Sequence, residues 1–117
     1  MKRDYKLFVK DILQAIDKIE NFIGTMSFDE FMKDEKTKSA VIREIEVIGE
    51  ASKNIPESIR IRSKDLPWKD MARMRDKVTH SYFGIYYETV WKFIKERLPE
   101  IKSLISKLLE ELERENE

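Results

Sequence analysis

The chain of 117 residues contains no cysteine, one histidine, three glycines and three prolines. The absence of cysteine excludes disulfides and thiolate metal sites, and a single histidine argues against a zinc site. No apolar run approaches the roughly 20 residues that a membrane-spanning helix requires. The opening Met1-Lys2-Arg3 is not followed by the continuous apolar stretch of a signal peptide. We therefore expect a cytoplasmic protein with no membrane segment, metal or cofactor.

The chain also lacks net charge, because its 23 basic and 23 acidic residues cancel. No overall field draws it to nucleic acid, so any contact with RNA must come from a local patch or from one created by assembly. Charged residues make up 39% of the chain and hydrophobic residues 41%, which is typical of an all-helical protein with charged outer faces. This length predicts a single domain, residues 1–117, with a core of its own.

Apolar residues recur at helical spacing in the first third of the chain. The pattern over residues 3–26 predicts an amphipathic helix that ends at Gly24. Ser27 and Glu30 have the spacing of a capping box, which predicts that a second, shorter helix starts there. The polar run 34–38 predicts a bend or an exposed turn.

The middle of the chain predicts another long helix over residues 39–54. Gly49 lies inside it and costs about 1 kcal/mol of helix propensity relative to alanine, so we expect a second helix backbone to approach there. Residues 57–66 have the least regular pattern, in which Ile59 and Ile61 suggest a short helical turn. Asp65 and Pro67 form a helix start signal, with the aspartate as cap and the proline in the first turn.

The remaining pattern predicts two further helices. The first is expected to end at Gly84 in a left-handed conformation, and its core line consists of Met71, Met74, Val78 and Tyr82. The last begins near Tyr86 and carries a long apolar seam to Leu112, with a kink or restart at Pro99. Four substantial helices with short connections imply an all-α fold, an antiparallel up-and-down four-helix bundle with an extra short helix.

The stretch with a chemical signature is 75–84, which holds the only histidine, His80, five residues after Arg75. Histidine is the side chain that both takes and gives a proton near neutral pH. Arginine is the side chain best shaped to hold a phosphate. The pair therefore suggests acid/base chemistry beside a bound phosphate, although by spacing alone this is a weak signal.

Ideal helical geometry separates the two side chains. At about 100° per residue, Arg75 and Tyr82 share one face, Asp76 and His80 share another, and Arg75 and His80 lie roughly 140° apart. They meet at one phosphate only through the reach of the arginine, a loosened helix end or a second copy of the motif. Plain structural roles are also open, because a histidine near a helix end commonly interacts with the terminal carbonyls and an arginine beside an aspartate is usually a surface pair.

Arg75, four residues, His80, one residue and Tyr82 together resemble the signature of the HepT-like toxins, small helical ribonucleases of the HEPN superfamily. The resemblance extends in order over about residues 40–105. The other matching segments are 45–51, which contains the family's Ile-Gly-Glu-Ala run, the Leu-Pro-Trp of 66–68, the Tyr-Phe-Gly of 82–84, the Val-Trp of 90–91 and the Leu-Pro of 98–99.

This resemblance implies a HEPN-like fold and a metal-independent endoribonuclease, the toxin of a toxin–antitoxin system, that acts on RNA as a homodimer. It assigns His80 as the acid/base, Arg75 as the group that holds the phosphate, and Asp76 as a polar residue that orients the histidine. It also implies a partner, a cognate nucleotidyltransferase antitoxin, that transfers AMP onto Tyr82.

The chain departs from the family pattern at residues 85–87, where an acidic helix cap is common and this chain has Ile-Tyr-Tyr.

Two other functions stay open. A second hypothesis is a non-catalytic helical substrate-binding or adaptor partner of a nucleotidyltransferase. A third is a plain structural bundle, for which Arg75 and His80 would be dispensable.

Overall fold

The computed structural model describes residues 4–80 and 84–115, and within these ranges every regular element is a helix. The helices are α1 (Tyr5–Ile23), α2 (Phe28–Lys33), α3 (Glu35–Lys53), α4 (Glu57–Arg62), α5 (Trp68–Thr79), α6 (Tyr87–Glu96) and α7 (Leu98–Arg114). The predicted all-α class is confirmed. Two short helices are present, α2 and α4, where the sequence predicted one.

The predicted end of the first helix at Gly24 and the predicted start of the second at Ser27 are confirmed. Gly24, at φ 47°, ends α1, and its N–H donates to the carbonyl of Glu20. Before α2, the Ser27 hydroxyl accepts from the Glu30 N–H at 3.1 Å, while the Glu30 carboxylate accepts from the Ser27 N–H at 3.0 Å. This reciprocal capping box satisfies two donors that a helix start otherwise leaves unpaired.

The predicted turn over residues 34–38 is wrong. The Asp34 carboxylate accepts from the Thr37 N–H at 3.0 Å and so caps α3, which begins four residues earlier than predicted, at Glu35. Lys38 is buried despite its charge, because its ammonium donates to the Met32 carbonyl at 3.2 Å and pairs with Glu35 at 2.9 Å. The polar run is therefore the first turn of α3, exposed at Glu35 and Lys36 and buried only at Lys38.

The predicted start of α5 is wrong in two details, the capping by Asp65 and the place of Pro67 in the first turn. The helix begins at Trp68, with Pro67 at its N-cap and no side-chain cap hydrogen bond, so Asp65 does not cap it. The indole N–H of Trp68 instead donates to the Ser63 carbonyl at 3.1 Å, while the ring is buried. The segment before it forms the short helix α4 over Glu57–Arg62, which includes the helical turn suggested for Ile59 and Ile61.

The longer helices share one apolar core. Helix α1 packs against α3 and α7, α3 also packs against α5, and α6 packs against α7. The predicted seam of the last helix is largely buried, and the chain restarts as α7 with Pro99 in its first turn. Trp91 packs on the rings of Phe28 and Phe31, with centroids 5.9 and 5.0 Å away. Among the residues with described positions, no helix is long and apolar enough to cross a bilayer.

Candidate active site on helix α5

Arg75 lies near the middle of α5, on the side that packs against α3. Its side chain is 29% exposed, and its guanidinium lies 3.4 Å from the Glu50 carboxylate and 3.6 Å from the Asp76 carboxylate. One acidic group on α3 and one on α5 therefore hold the arginine, and part of its guanidinium group stays open to solvent. A permanently charged, partly open guanidinium is suited to binding a phosphate.

Gly49 is the position on α3 at which the backbone meets Arg75. A Cβ built on Gly49 would lie 2.1 Å from the Cβ of Arg75 and 3.3 Å from its Cα. Only a residue without a side chain fits this contact. The predicted close approach at Gly49 is confirmed, and the helix that approaches is the one that carries the motif.

Asp76 is paired with α3 as well. The Lys53 ammonium donates to its carboxylate at 3.0 Å. This hydrogen bond, chiefly, holds the pKa of Asp76 below its ordinary value, and the charges of Lys53, Arg75 and His80 lower that pKa further. The predicted role of Asp76 in orienting His80 stays a prediction, because the contacts of the Asp76 carboxylate within the described residues are with Lys53 and Arg75.

His80 lies at the very end of the helix. Helix α5 stops at Thr79, so the predicted end at Gly84 is wrong, although Gly84 does have a positive φ of 103°. The His80 N–H donates to the Asp76 carbonyl at 2.9 Å, and its side chain is exposed. Tyr82 lies outside the described residues, so its predicted place on the Arg75 face stays a prediction.

The two motif side chains line different cavities on either side of α5. Arg75 borders a cavity of about 360 Å³ between α1, α3 and α5, whereas His80 borders one of about 350 Å³ between α5 and α6. This agrees with the angular separation expected from helical geometry. In the described structure the two motif groups therefore border different cavities, although the charges of both act on the Asp76 carboxylate.

Sequence reasoning missed two members of this site, Glu50 and Lys53. The available signal was positional, because both follow Gly49 closely and Lys53 is one helical turn after it, on the face that meets α5. Within the part of the chain that is described, no cluster of three His, Cys, Asp or Glu side chains has the placement to hold a metal ion.

Comparison with known proteins gives consistent matches along nearly the whole chain. A probable ribonuclease HepT from Thermococcus cleftensis is 47% identical over 108 residues, covering 92% of this chain and 98% of that protein. A putative RNase from Methanocaldococcus jannaschii is 46% identical over 116 residues, covering 99% of this chain and 96% of that protein. A longer protein from the same archaeon, a gamma-glutamylcyclotransferase and putative RNase, is 38% identical over 114 residues, which are 97% of this chain and 51% of that protein.

No solved structure matched this chain significantly. The family model described as "Ribonuclease HepT-like" matches residues 12–108, a range that includes α3, α5 and the whole Arg75–His80 motif. The chain therefore belongs to the ribonuclease HepT-like family of the HEPN superfamily.

Proposed function

We propose that this protein is a metal-independent endoribonuclease, the toxin of a toxin–antitoxin system, and that it cleaves RNA with Arg75 and His80 at the cleft of a homodimer. One observation carries the proposal. The partly open guanidinium of Arg75 and the exposed imidazole of His80 are the motif groups of a family to which the chain belongs over residues 12–108. Relatives across nearly the same length are named ribonucleases.

The reaction requires a base, an acid and a group that stabilises charge on phosphorus. A neutral His80 removes the proton from a ribose 2′-hydroxyl, whose oxygen attacks the adjacent phosphorus. The bond from phosphorus to the 5′-oxygen breaks, leaving a 2′,3′-cyclic phosphate, and a protonated imidazole gives its proton to the departing oxygen. Arg75 holds the non-bridging oxygens and stabilises the charge that develops on them.

A dimer supplies what a single chain lacks. Since Arg75 and His80 line cavities on opposite sides of α5, a second copy of the motif is the simplest way to bring both groups to one phosphodiester. In this arrangement the arginine of one protomer and the histidine of its partner share a cleft. Because the chain has no net charge overall, its attraction for RNA has to come from local cations that the assembly brings together.

Inhibition follows from modification of Tyr82. A cognate nucleotidyltransferase antitoxin transfers AMP onto its hydroxyl, which adds a bulky anion beside the motif and repels RNA. We expect co-expression with that enzyme to add one AMP, or a small number of them, to the intact mass. A Tyr82→Phe variant that keeps the added mass would contradict the assignment of Tyr82.

The function is tested by RNA cleavage with purified wild-type protein and the variants His80→Ala and Arg75→Ala. Loss of the acid/base should slow cleavage by about 10²–10⁴-fold, and loss of the phosphate-binding group by about 10²–10³-fold. Arg114→Ala is the matched control, since Arg114 is an exposed arginine at the end of α7 whose pair with Glu110 is 3.9 Å long. Equal cleavage by wild type and His80→Ala would reject the nuclease and favour the binding or adaptor role.

A further inference from the structure

A continuous groove runs between α5 and α6 and ends at His80. It consists of two cavities, of about 350 and 340 Å³, that share the lining residues Met74, Lys77 and Thr89. We call this the α5–α6 groove; it is lined by Asp70, Arg73, Met74, Lys77, Val78 and His80 on the first helix, and by Ile85, Tyr86, Thr89, Val90, Lys92, Phe93, Glu96 and Arg97 on or beside the second.

Helical spacing places Arg73 and Lys77 of α5 on the His80 side. Arg73 and His80 are seven residues apart and so share a face, at an axial distance of about 10 Å, with Lys77 between them. Arg75 is about 160° away from Arg73 around the same helix. Arg73 and Lys77 therefore lie on the same face of α5 as His80, and this face is not the one that contacts α3.

The groove is locally positive in a chain with no net charge. Its lining includes four basic side chains, Arg73, Lys77, Lys92 and Arg97, and two acidic ones, Asp70 and Glu96. The cavity on the opposite side of α5 has the reverse balance, two arginines and three carboxylates, in Asp11, Arg43, Glu46, Glu50 and Arg75. An anionic polymer is therefore attracted to the His80 side of the helix.

The Asp70 carboxylate lies between two of the cations of the groove and contacts both. Asp70 lies 3.6 Å from the Arg73 guanidinium and 3.4 Å from that of Arg97, which follows α6. Their side chains stay 64% and 44% exposed, and one negative charge cannot neutralise both. This end of the groove therefore has two partly exposed guanidinium groups, one on α5 and one just after α6.

The floor between these charges is apolar. Met74, Val78, Val90 and Phe93 are buried in the core but also line the groove. Cationic rims over an apolar floor fit a single nucleic-acid strand, whose phosphates pair with the cations while sugars and bases contact the floor. The side of the groove nearest His80 adds the exposed ring of Tyr86.

Building on the ribonuclease function proposed above, we propose that the α5–α6 groove binds the phosphate backbone of single-stranded RNA and guides it to His80. Arg73 and Lys92, one from each helix, contact phosphates away from the scissile bond. They act on substrate binding and take no part in the chemical step.

The test is a paired charge reversal, Arg73→Glu with Lys92→Glu, compared with Lys18→Glu and Lys36→Glu. The control pair makes the same change in net charge at exposed lysines of α1 and α3 that do not line the groove. Cleavage of a single-stranded RNA is followed between about 50 and 200 mM salt, where phosphate contacts dominate the salt dependence of binding. Thermal unfolding and solution mass confirm that all variants keep the fold and the assembly state of the wild type.

We expect the groove variant to raise KM by about tenfold or more with kcat nearly unchanged, and to flatten the logarithmic salt slope of kcat/KM by about 1.4 for two lost contacts to a single strand. The control pair should match the wild type. If the groove variant and the control variant both show His80-dependent cleavage with the same KM and salt slope, RNA binding by the groove is rejected. The proposed ribonuclease function is then unaffected.

Absence of any His80-dependent cleavage by the wild type would reject the ribonuclease, and RNA binding would then decide the groove separately. Weaker binding of single-stranded RNA by the groove pair than by the control pair would support the groove. Equal binding by both pairs, or no binding by the wild type, would overturn it.

Discussion

The residues around Arg75 form an alternating line of charge across two helices. Glu50, Arg75, Asp76 and Lys53 follow one another at separations of 3.4, 3.6 and 3.0 Å. Each charge has an opposite neighbour, so the arginine is held without being neutralised by one tight, bidentate partner. A phosphate entering this site competes with carboxylates at the outer limit of ion-pair distance, a weak competition at a partly exposed position.

The pH dependence of stability should report the Asp76 contacts. Because the folded-state pKa of Asp76 is lowered, chiefly by its hydrogen bond from Lys53, its stabilising contribution is present above the unfolded-state pKa near 4 and is lost as pH falls through the lower folded value. We expect Asp76→Asn to be less stable than wild type at pH 7, with the difference shrinking below about pH 4. Urea unfolding at several pH values measures this, and a difference that stays constant down to pH 2 would contradict it.

Among the elements, the pair α3 and α5 decides where the motif lies. The two backbones approach at Gly49, and the register of that contact sets Glu50 and Lys53 beside Arg75 and Asp76. The atoms that a new methyl group would meet are the Cβ, Cγ and Cα of Arg75, which belong to a helix and cannot move as a flexible side-chain tip would.

Gly49→Ala should therefore destabilise the protein although alanine favours helices. The substitution gains about 1 kcal/mol of helix propensity, whereas forcing an added methyl into a packed contact costs about 1–3 kcal/mol or more. We expect a lower unfolding midpoint together with weaker RNA cleavage, because the helices separate and Arg75 moves.

A double-mutant cycle separates the steric cause from other effects. Arg75→Gly removes the Cβ that the alanine would meet, so Gly49→Ala should cost less stability in that background than in wild type. The same cost in both backgrounds would show that the Arg75 contact is not the reason for a glycine at this position.

At the scale of the whole molecule, the separation of Arg75 and His80 by the body of α5 makes assembly the central question. The chain encloses one core, and its cavities on the two sides of α5 differ in charge. In the homodimer proposed above, a two-fold axis would generate two equivalent sites, each with both motif groups.

Subunit mixing tests this arrangement. Arg75→Ala and His80→Ala should each be inactive alone, but a mixed dimer retains one site with an intact arginine from one protomer and an intact histidine from its partner. Random exchange should restore about a quarter of wild-type activity, since half of the dimers are mixed and each has one of two sites. No recovery, with exchange verified by native mass spectrometry, would place both groups in the same chain or reject the shared cleft.

Much of the architecture follows from local patterns that act within a few residues. The stop at Gly24 and the capping box at Ser27 were predicted because glycine conformation and cap hydrogen bonds depend on immediate neighbours. The close approach at Gly49 was predicted from the cost of a glycine inside a helix, but its partner Arg75 was not. The errors at residues 34–38 and at Asp65 arose where a local signal competed with packing. Lys38 is buried by contacts to α2 and to the Tyr87 ring, and α5 starts without the aspartate that would otherwise cap it.

By itself the sequence determined the helical class, the positions of most helices and the motif with its angular separation, since periodicity and 100° per residue are properties of one chain segment. Only the tertiary structure decided that Arg75 is held by Glu50 and Asp76 against α3, and that His80 opens onto a basic groove with α6. These facts depend on which helices pack together and in what register, and such contacts join residues far apart in the chain.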